Sequence, residues 1–427
     1  MKRVSPVFCS LLFIGAAQLR AEPWPSWRGD VQGSGRSLES KIPRQWGRDQ
    51  NVKWRVGLPD AGNSTPVVFG DRVFITQAEE KGKSRSTMCF DRNTGDLLWK
   101  QGVTYDRPER THPANPYCSA SPTTDGEVIV VSYGSAGIAA YHLDGRRMWK
   151  RDLGAMNHVW GNSSSPLLYQ NLCIHYHGPG KGGFLIALDK MTGETVWKYD
   201  EPEWKPGLRT DGFRGRDREG VIGSFSTPIV VRAEGASRDE LVMSFPMEIQ
   251  AFDPLTGKKM WSCKGLNPLV YSSPIYHDGI VLSMGGYHGN SLGVKAGGSG
   301  DVTGDRRIWY LERHNGGIGT GVVRDGLYYY PDSGGNIVCL EMKTGKTRWN
   351  ERLPGSGRSW GSLLLAGDLI YALSQAGDTV VFKANPERLE VVADNRLGEK
   401  TNSSLAVSDG EIFIRTYDAL WCISKDR

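Results

Sequence analysis

Adjacent cysteines, a Cys-x-x-Cys-His run, paired Cys-x-x-Cys motifs and His-Glu-x-x-His are all missing from the 427 residues. Their absence excludes a covalent haem domain, a zinc ribbon and a helical zinc-protease site. No long apolar run follows the first twenty residues, so no transmembrane helix is expected. An excess of one charge is lacking too. The formal net charge of +5 falls to +2 once an expected leader takes away Lys2, Arg3 and Arg20, and this points to neither a nucleic-acid nor a membrane-surface partner.

That leader is read from Met1-Lys2-Arg3, the apolar stretch "VSPVFCSLLFIGAAQL" and the small-residue boundary at Ala21. Residues 1–21 are expected to be a signal peptide, residues 22–50 an amino-terminal extension, and residues 51–427 one repeat domain. Cys9 lies inside the apolar stretch rather than directly after it, so the expected product is an exported soluble protein, periplasmic or secreted, without a lipid anchor.

What is abundant is glycine (54 residues) and tryptophan (14), in a chain that is 39% apolar, which is a turn-rich β composition. "FDRNTGDLLWK" returns as "LDKMTGETVWK", "FDPLTGKKMWS" and "LEMKTGKTRWN", and in trimmed form as "HLDGRRMWK". Gly95/Trp99, Gly145/Trp149, Gly193/Trp197, Gly257/Trp261 and Gly345/Trp349 keep one spacing. Upstream of each comes a small-residue stretch, commonly ending in Ser-Pro or Thr-Pro, and then a hairpin. "NSTPVVFGDRVFI", "SASPTTDGEVIVV", "SSSPLLYQNLCIH", "FSTPIVV" and "YSSPIYHDGIVLS" are the clear copies. "GTGVVRDGLYYY", "GSLLLAGDLIYAL" and "SSLAVSDGEIFIR" bring the hairpins to eight. Four antiparallel strands repeated every 40 to 60 residues or so make a β-propeller blade. The last unit stops short of a fourth strand, while "NVKWRVGLP" at residues 51–59 matches the fourth-strand phrases. The expected fold is therefore all-β, an eight-bladed β-propeller closed by its amino-terminal strand around Trp54.

These phrases resemble the pyrroloquinoline-quinone (PQQ) repeat family, whose blade consensus is close to "IALDKMTGETVWK". The opening "WPSWRGDVQGSGRS" is similar to exported PQQ-repeat proteins. In the repeat itself, the turn glycine accepts positive φ, the preceding Asp91, Asp189 or Asp253 holds the turn, and the tryptophan packs between blades. Cys89, Cys339 and Cys422 occupy a slot that Ala187 and Ala251 fill elsewhere, so they are expected as buried thiols. Cys118, Cys173 and Cys263 carry no readable pairing.

Chemistry is therefore sought in the longer loops. Residues 104–118, 154–162, 201–220 and 285–307 stand out, and the topology places them on one face. His112, His158, Trp160, Arg209, Arg214, Tyr287 and His288 would gather there, with Trp360 joining by analogy, as a rim suited to a polar or anionic ligand that also stacks. The Gly-rich "GVKAGGSGDVTGD" lacks phosphate-loop spacing and is read as a flexible loop. His175 and His177 alternate on a strand and are read as satisfied histidines rather than metal ligands.

Three functions follow from the resemblance. The first is an exported, non-catalytic binding or scaffold protein, with another exported protein, a polymer or a small polar molecule as its partner. The second is a PQQ- and calcium-dependent dehydrogenase of alcohols or sugars, against which stand the missing adjacent cysteines and unmatched calcium carboxylates. The third is a polysaccharide-binding propeller. No cofactor is expected under the first and third readings.

Overall fold

Short runs of β-branched and aromatic residues, broken by glycine and aspartate turns, become short strands. A computed structural model describes residues 22–205, 222–355 and 357–425. The expected leader and the Arg209 and Arg214 positions lie outside these described residues. The strands gather in sequence order into eight blades, spanning 67–104, 123–151, 167–200, 229–264, 275–311, 322–352, 364–396 and 406–423. First strands line the axis, and some, such as Ile229–Val231 and Leu364–Ala366, are buried at every position. Outer strands such as Thr347–Arg352 bury their tryptophan among exposed and half-buried neighbours.

The last blade has three strands of its own. Its fourth is Val52–Gly57, antiparallel to Ala419–Ile423, with Trp54 opposite Cys422. Ends of the chain thus share one sheet, and no open edge remains between first and last blades. Arg92 bridges this seam to Glu411 at 2.8 Å, and Lys53 pairs with the other oxygen of that carboxylate at 2.6 Å.

Most of the recurring tryptophans pin a seam through the indole N–H, while Trp261 donates to Glu240 of its own blade at 2.9 Å. Trp99, Trp149, Trp197 and Trp349 donate their indole N–H to the carbonyls of Leu143, Lys190, Pro254 and Asn385 in the following blade, at 2.9–3.0 Å. For Trp99, Trp149 and Trp197 the turn glycine of that following blade lies against the same indole. A Cβ on Gly193 would stand 2.6 Å from Trp149, and one on Gly257 2.5 Å from Trp197, at φ values of 74° and 69°. Glycine is required there by both contact and conformation. The glycine and tryptophan four residues apart in one blade therefore serve two different seams. Asp189 and Asp253 hold these turns by accepting two backbone N–H bonds each, at 2.9–3.1 Å.

Across each sheet the tryptophan faces a small residue on the third strand: Cys89 opposite Trp99, Ala187 opposite Trp197, Cys339 opposite Trp349. All six described cysteines are buried and unpaired. Trp309 fills the slot in blade 5, donating to the Met342 carbonyl at 2.7 Å, although its spacing hides it in the repeat. Blade 7 has Ala393 there, facing the larger Val381. Trp46 from the amino-terminal extension packs into that cluster, its ring parallel to Tyr371 at 6.4 Å.

One expectation fails. Residues 285–307 are not a single loop, and "GVKAGGSGDVTGD" is not a flexible one. Ser291–Lys295 is the third strand of blade 5, and Gly300–Asp301 runs parallel to the outer edge of blade 4 at Trp261 and Ser262. Glycines obscure the alternation because Gly293 must clear Trp309, whose ring would lie 2.4 Å from an added Cβ.

Two further devices surround the axis. Thr65, Ser121, Ser165, Thr227, Ser273, Thr320 and Ser362 each donate their backbone N–H to the hydroxyl of the next member, ending at Ser404, at 2.8–3.1 Å. Residues 22–37 also cross the channel. Trp24 pairs with Val68, the Pro25 and Val31 carbonyls accept the Thr124 and Val230 amides, and Arg36–Ser37 runs parallel to blade 7. Arg28 is the anchor of this plug. Its guanidinium donates to Gly33, Ser34, Thr320, Gly321 and Leu363 carbonyls at 2.5–3.3 Å, and burial pulls its pKa down to about 10 without discharging it at neutral pH.

Because Trp46 occupies the seam that lacks its own tryptophan, Trp46→Ala is expected to cost as much as Trp349→Ala, about 3–5 kcal/mol in urea denaturation. A loss below about 1 kcal/mol would show that the extension only rests on the propeller.

Candidate functional site

The plug closes one end of the channel and leaves a cavity of about 520 Å³ at the loop face. Its floor includes Trp27, next to the buried Arg28. The side wall follows the repeat. In each blade the residue two positions before the ring hydroxyl faces the cavity. Blades 4 to 7 contribute Phe225, Tyr271, Ile318 and Trp360, while blades 8 and 1 to 3 contribute Asn402, Asn63, Ser119 and Ser163. The wall is thus apolar along one arc and polar along the other.

Loops complete it. Phe225 and Tyr271 stack at 5.8 Å and 7°, Trp160 leans on Tyr271 at 6.1 Å, and Tyr287 meets Tyr271 edge-on at 5.7 Å. His112 stands on the 104–118 loop, whose base is fixed by Arg85. That guanidinium is buried between the rings of Tyr105 and Tyr117, at 4.8 and 4.9 Å, and pairs with Glu109. Asn115 then donates to the Trp160 carbonyl at 2.6 Å, and Asn63 and Asn402 both donate to the Ala114 carbonyl, at 3.0 and 2.9 Å. Arg358 and His288 add cationic and imidazole groups. Among the described residues that line the cavity there is no Asp or Glu.

Of the residues expected at this rim, His112, Trp160, Tyr287, His288 and Trp360 line the cavity. His158 sits behind the wall, its ring edge-on to Phe225 at 5.3 Å and to Trp160 at 5.8 Å. Its Nδ1 accepts the Trp160 amide at 3.3 Å, and burial lowers its pKa to about 4. Sequence reasoning missed Trp27, Phe225, Tyr271, Ile318 and Arg358. The signal for Phe225 and Tyr271 was in "FSTP" and "YSSP": one variable residue at a fixed distance before an unchanging hydroxyl.

His175 and His177 are buried on a strand of blade 3. His175 Nε2 lies 3.2 Å from Ser132 Oγ, and His177 Nε2 donates to the Gly154 carbonyl at 3.1 Å. Burial holds both neutral, at about 3 and about 4. No group of three His, Cys, Asp or Glu that could hold a metal occurs among the described residues. Gly-x-Ser-x-Gly spacing occurs at 289–293 and 357–361. Neither opens a helix as a nucleophile elbow does: Ser291 lies in a strand, and Ser359 in a loop.

Comparison with known proteins agrees with this architecture. A family model described as "Outer membrane protein assembly factor BamB" matches residues 47–203, 87–350 and 246–392. A polyvinylalcohol dehydrogenase from Pseudomonas sp is 21% identical over 49% of this chain and 35% of its own length. A tetrathionate hydrolase from Acidianus ambivalens is 27% identical over 26% of this chain and 24% of its own. The chain thus spans about a third and a quarter of these relatives. Among solved structures, the quinohemoprotein alcohol dehydrogenase of Comamonas testosteroni superimposes with a TM-score of 0.71 at 12% identity, over 95% of this chain and 81% of that one. BamB from Moraxella catarrhalis gives 0.60 at 14%, over 88% and 97%. At these identities the structural likeness concerns the fold.

The buried histidines set a pH dependence. His158, His175 and His177 have folded pKa values lowered from 6.5, so the unfolded chain binds more protons between roughly pH 6.5 and 4. Their stabilising effect is complete above pH 6.5 and is lost as pH falls towards 4. Melting temperature should be flat from pH 8 to 7 and drop from 6.5 to 4.5, with a shallower drop in His175→Gln/His177→Gln. Equal melting at pH 7 and pH 5 would contradict the neutral assignment.

Proposed function

From the premise that the chain belongs to the PQQ-repeat family described as outer membrane protein assembly factor BamB, we propose that it is a non-catalytic binding protein holding a small ring-bearing ligand at its channel mouth. One observation carries this reading: a blind cavity whose wall is a ring of single side chains, aromatic on one arc, with no lining carboxylate among the described residues. Aromatic faces and a few polar groups recognise rings.

A calcium-bound quinone fits these residues poorly. Calcium takes six to eight oxygens or so, chiefly from carboxylates, and alcohol oxidation needs a base for the hydroxyl proton. The described cavity lining offers no carboxylate for such an ion, and His112 and His288 are the groups there that could take a proton. The expected leader supports export. No helix among the described residues is long and apolar enough to cross a membrane.

Titration of the purified protein with pyrroloquinoline quinone, with and without calcium, tests the choice by absorbance, thermal shift and dye-linked alcohol oxidation. Calcium is expected to change neither quinone affinity nor melting, and no dye should be reduced. A saturable, calcium-dependent shift together with alcohol-dependent dye reduction would replace binding by dehydrogenation.

A further inference from the structure

The division of the wall into two arcs says more about the ligand. One position per blade supplies the wall, so each residue reaches the cavity from an equivalent loop at an equivalent height. Phe225, Tyr271, Ile318 and Trp360 are consecutive around the ring, and so are Asn402, Asn63, Ser119 and Ser163.

The hydrogen-bonding capacity of the polar arc is specific. Asn63 and Asn402 spend their amide N–H groups on the Ala114 carbonyl, and Asn402 also bonds Tyr417 Oη at 2.7 Å. Ser119 donates to the Pro116 carbonyl at 2.6 Å, and Ser163 to the Phe225 carbonyl at 3.4 Å. Asn402 Oδ1 accepts Gln375 Nε2 at 2.8 Å, whereas Asn63 Oδ1 is buried without a partner among the described residues. Asn63 and the two serine oxygens are therefore the acceptors this arc offers, and they call for O–H donors on the ligand. Beneath it, the lining hydroxyls of Ser165, Thr227, Thr320, Ser362 and Ser404 accept backbone amides, and their own hydrogens have no acceptor among the described residues. A molecule matching both needs hydroxyl groups, which donate and accept at once. A flat apolar ring is needed for the opposite arc, where polar groups would be desolvated without partners.

We infer that this register selects an amphipathic ligand, a glycoside with an aromatic or similarly flat aglycone, its ring on the Phe225–Tyr271–Trp360 arc and its sugar hydroxyls on the Asn402–Asn63–Ser119–Ser163 arc. This rests on the reading of the cavity as a ligand site. Ile318 and Ser163 are specificity-determining residues in it.

The test uses the full mature chain with 4-methylumbelliferyl β-glucoside, free 4-methylumbelliferone and methyl β-glucoside as probes, followed by fluorescence and competition. The intact glycoside should bind at least about tenfold more tightly than either fragment, the equivalent of one or two added hydrogen bonds. Ile318→Ser and Ser163→Ile exchange residue types of the opposite arcs and keep the loop backbone, so melting should stay near wild type. Ser163→Ile should remove the preference for glycoside over umbelliferone, and Ile318→Ser should weaken both fluorescent probes. If umbelliferone binds, loses affinity in Trp160→Ala, and yet the glycoside binds no tighter in wild type, the amphipathic selection is overturned while the cavity stands. If no probe binds, both are overturned.

Discussion

A backbone amide just before each first strand lies outside the ladder of its own sheet, and it finds its acceptor in the Ser or Thr hydroxyl of the next blade. Seven such bonds, from Thr65 round to Ser404, tie the inner ends of the eight blades in a row, and Ser403 Oγ closes the ring by donating to the Ser64 carbonyl at 3.1 Å. The hydroxyl must be at one place in every blade for the ring to run, and this fixes the backbone on either side of it. The residue two positions earlier is then delivered to the channel wall whatever its side chain is. Structure and recognition are separated by two residues: the Ser or Thr is constrained, and its neighbour is free to vary as Asn, Ser, Phe, Tyr, Ile or Trp. Five of the outer seams are pinned independently, by Trp54, Trp99, Trp149, Trp197 and Trp309 against the next blade's glycine turn.

The amino-terminal residues 22–57, the extension and the strand that follows it, supply what the other repeats lack. They give the last blade its fourth strand, fill the empty tryptophan slot of blade 7 with Trp46, and floor the channel with Trp27. Arg28 shows how firmly that floor is built. A guanidinium buried without a carboxylate is costly unless all its donors are met, and here carbonyls of the plug and of blades 6 and 7 meet them. A blind cavity follows, open at the loop face.

Much of this was legible in the sequence because repeated contacts leave repeated residues. Trp99, Trp149, Trp197 and Trp349, their glycines, the small third-strand slots and the strand around Trp54 could be read from spacing alone. The plug could not, since Pro25, Val31 and Gly35 act through backbone carbonyls that any residue carries. Trp309 was hidden by one extra residue, and Ser291–Lys295 by the glycines needed beside that same indole. At the site, loop length pointed to His112, Trp160, Tyr287 and His288, and analogy with the phrase around Trp160 pointed to Trp360. Phe225, Tyr271 and Ile318 were overlooked because they belong to a phrase whose constant part drew the attention. Arg209 and Arg214 belong to a stretch outside the described residues, and their part in the site stays a proposal.

The claim at the centre of this account is that one register of the repeat both faces the cavity and reads the ligand. A crystal structure of the chain with 4-methylumbelliferyl β-glucoside tests it most directly. The account predicts the coumarin ring in van der Waals contact with Phe225, Tyr271 and Trp360, and the sugar within hydrogen-bond distance of Asn63, Ser119 or Ser163. A glycoside bound in the reverse sense, or seated on the turn face beyond the plug, would contradict it.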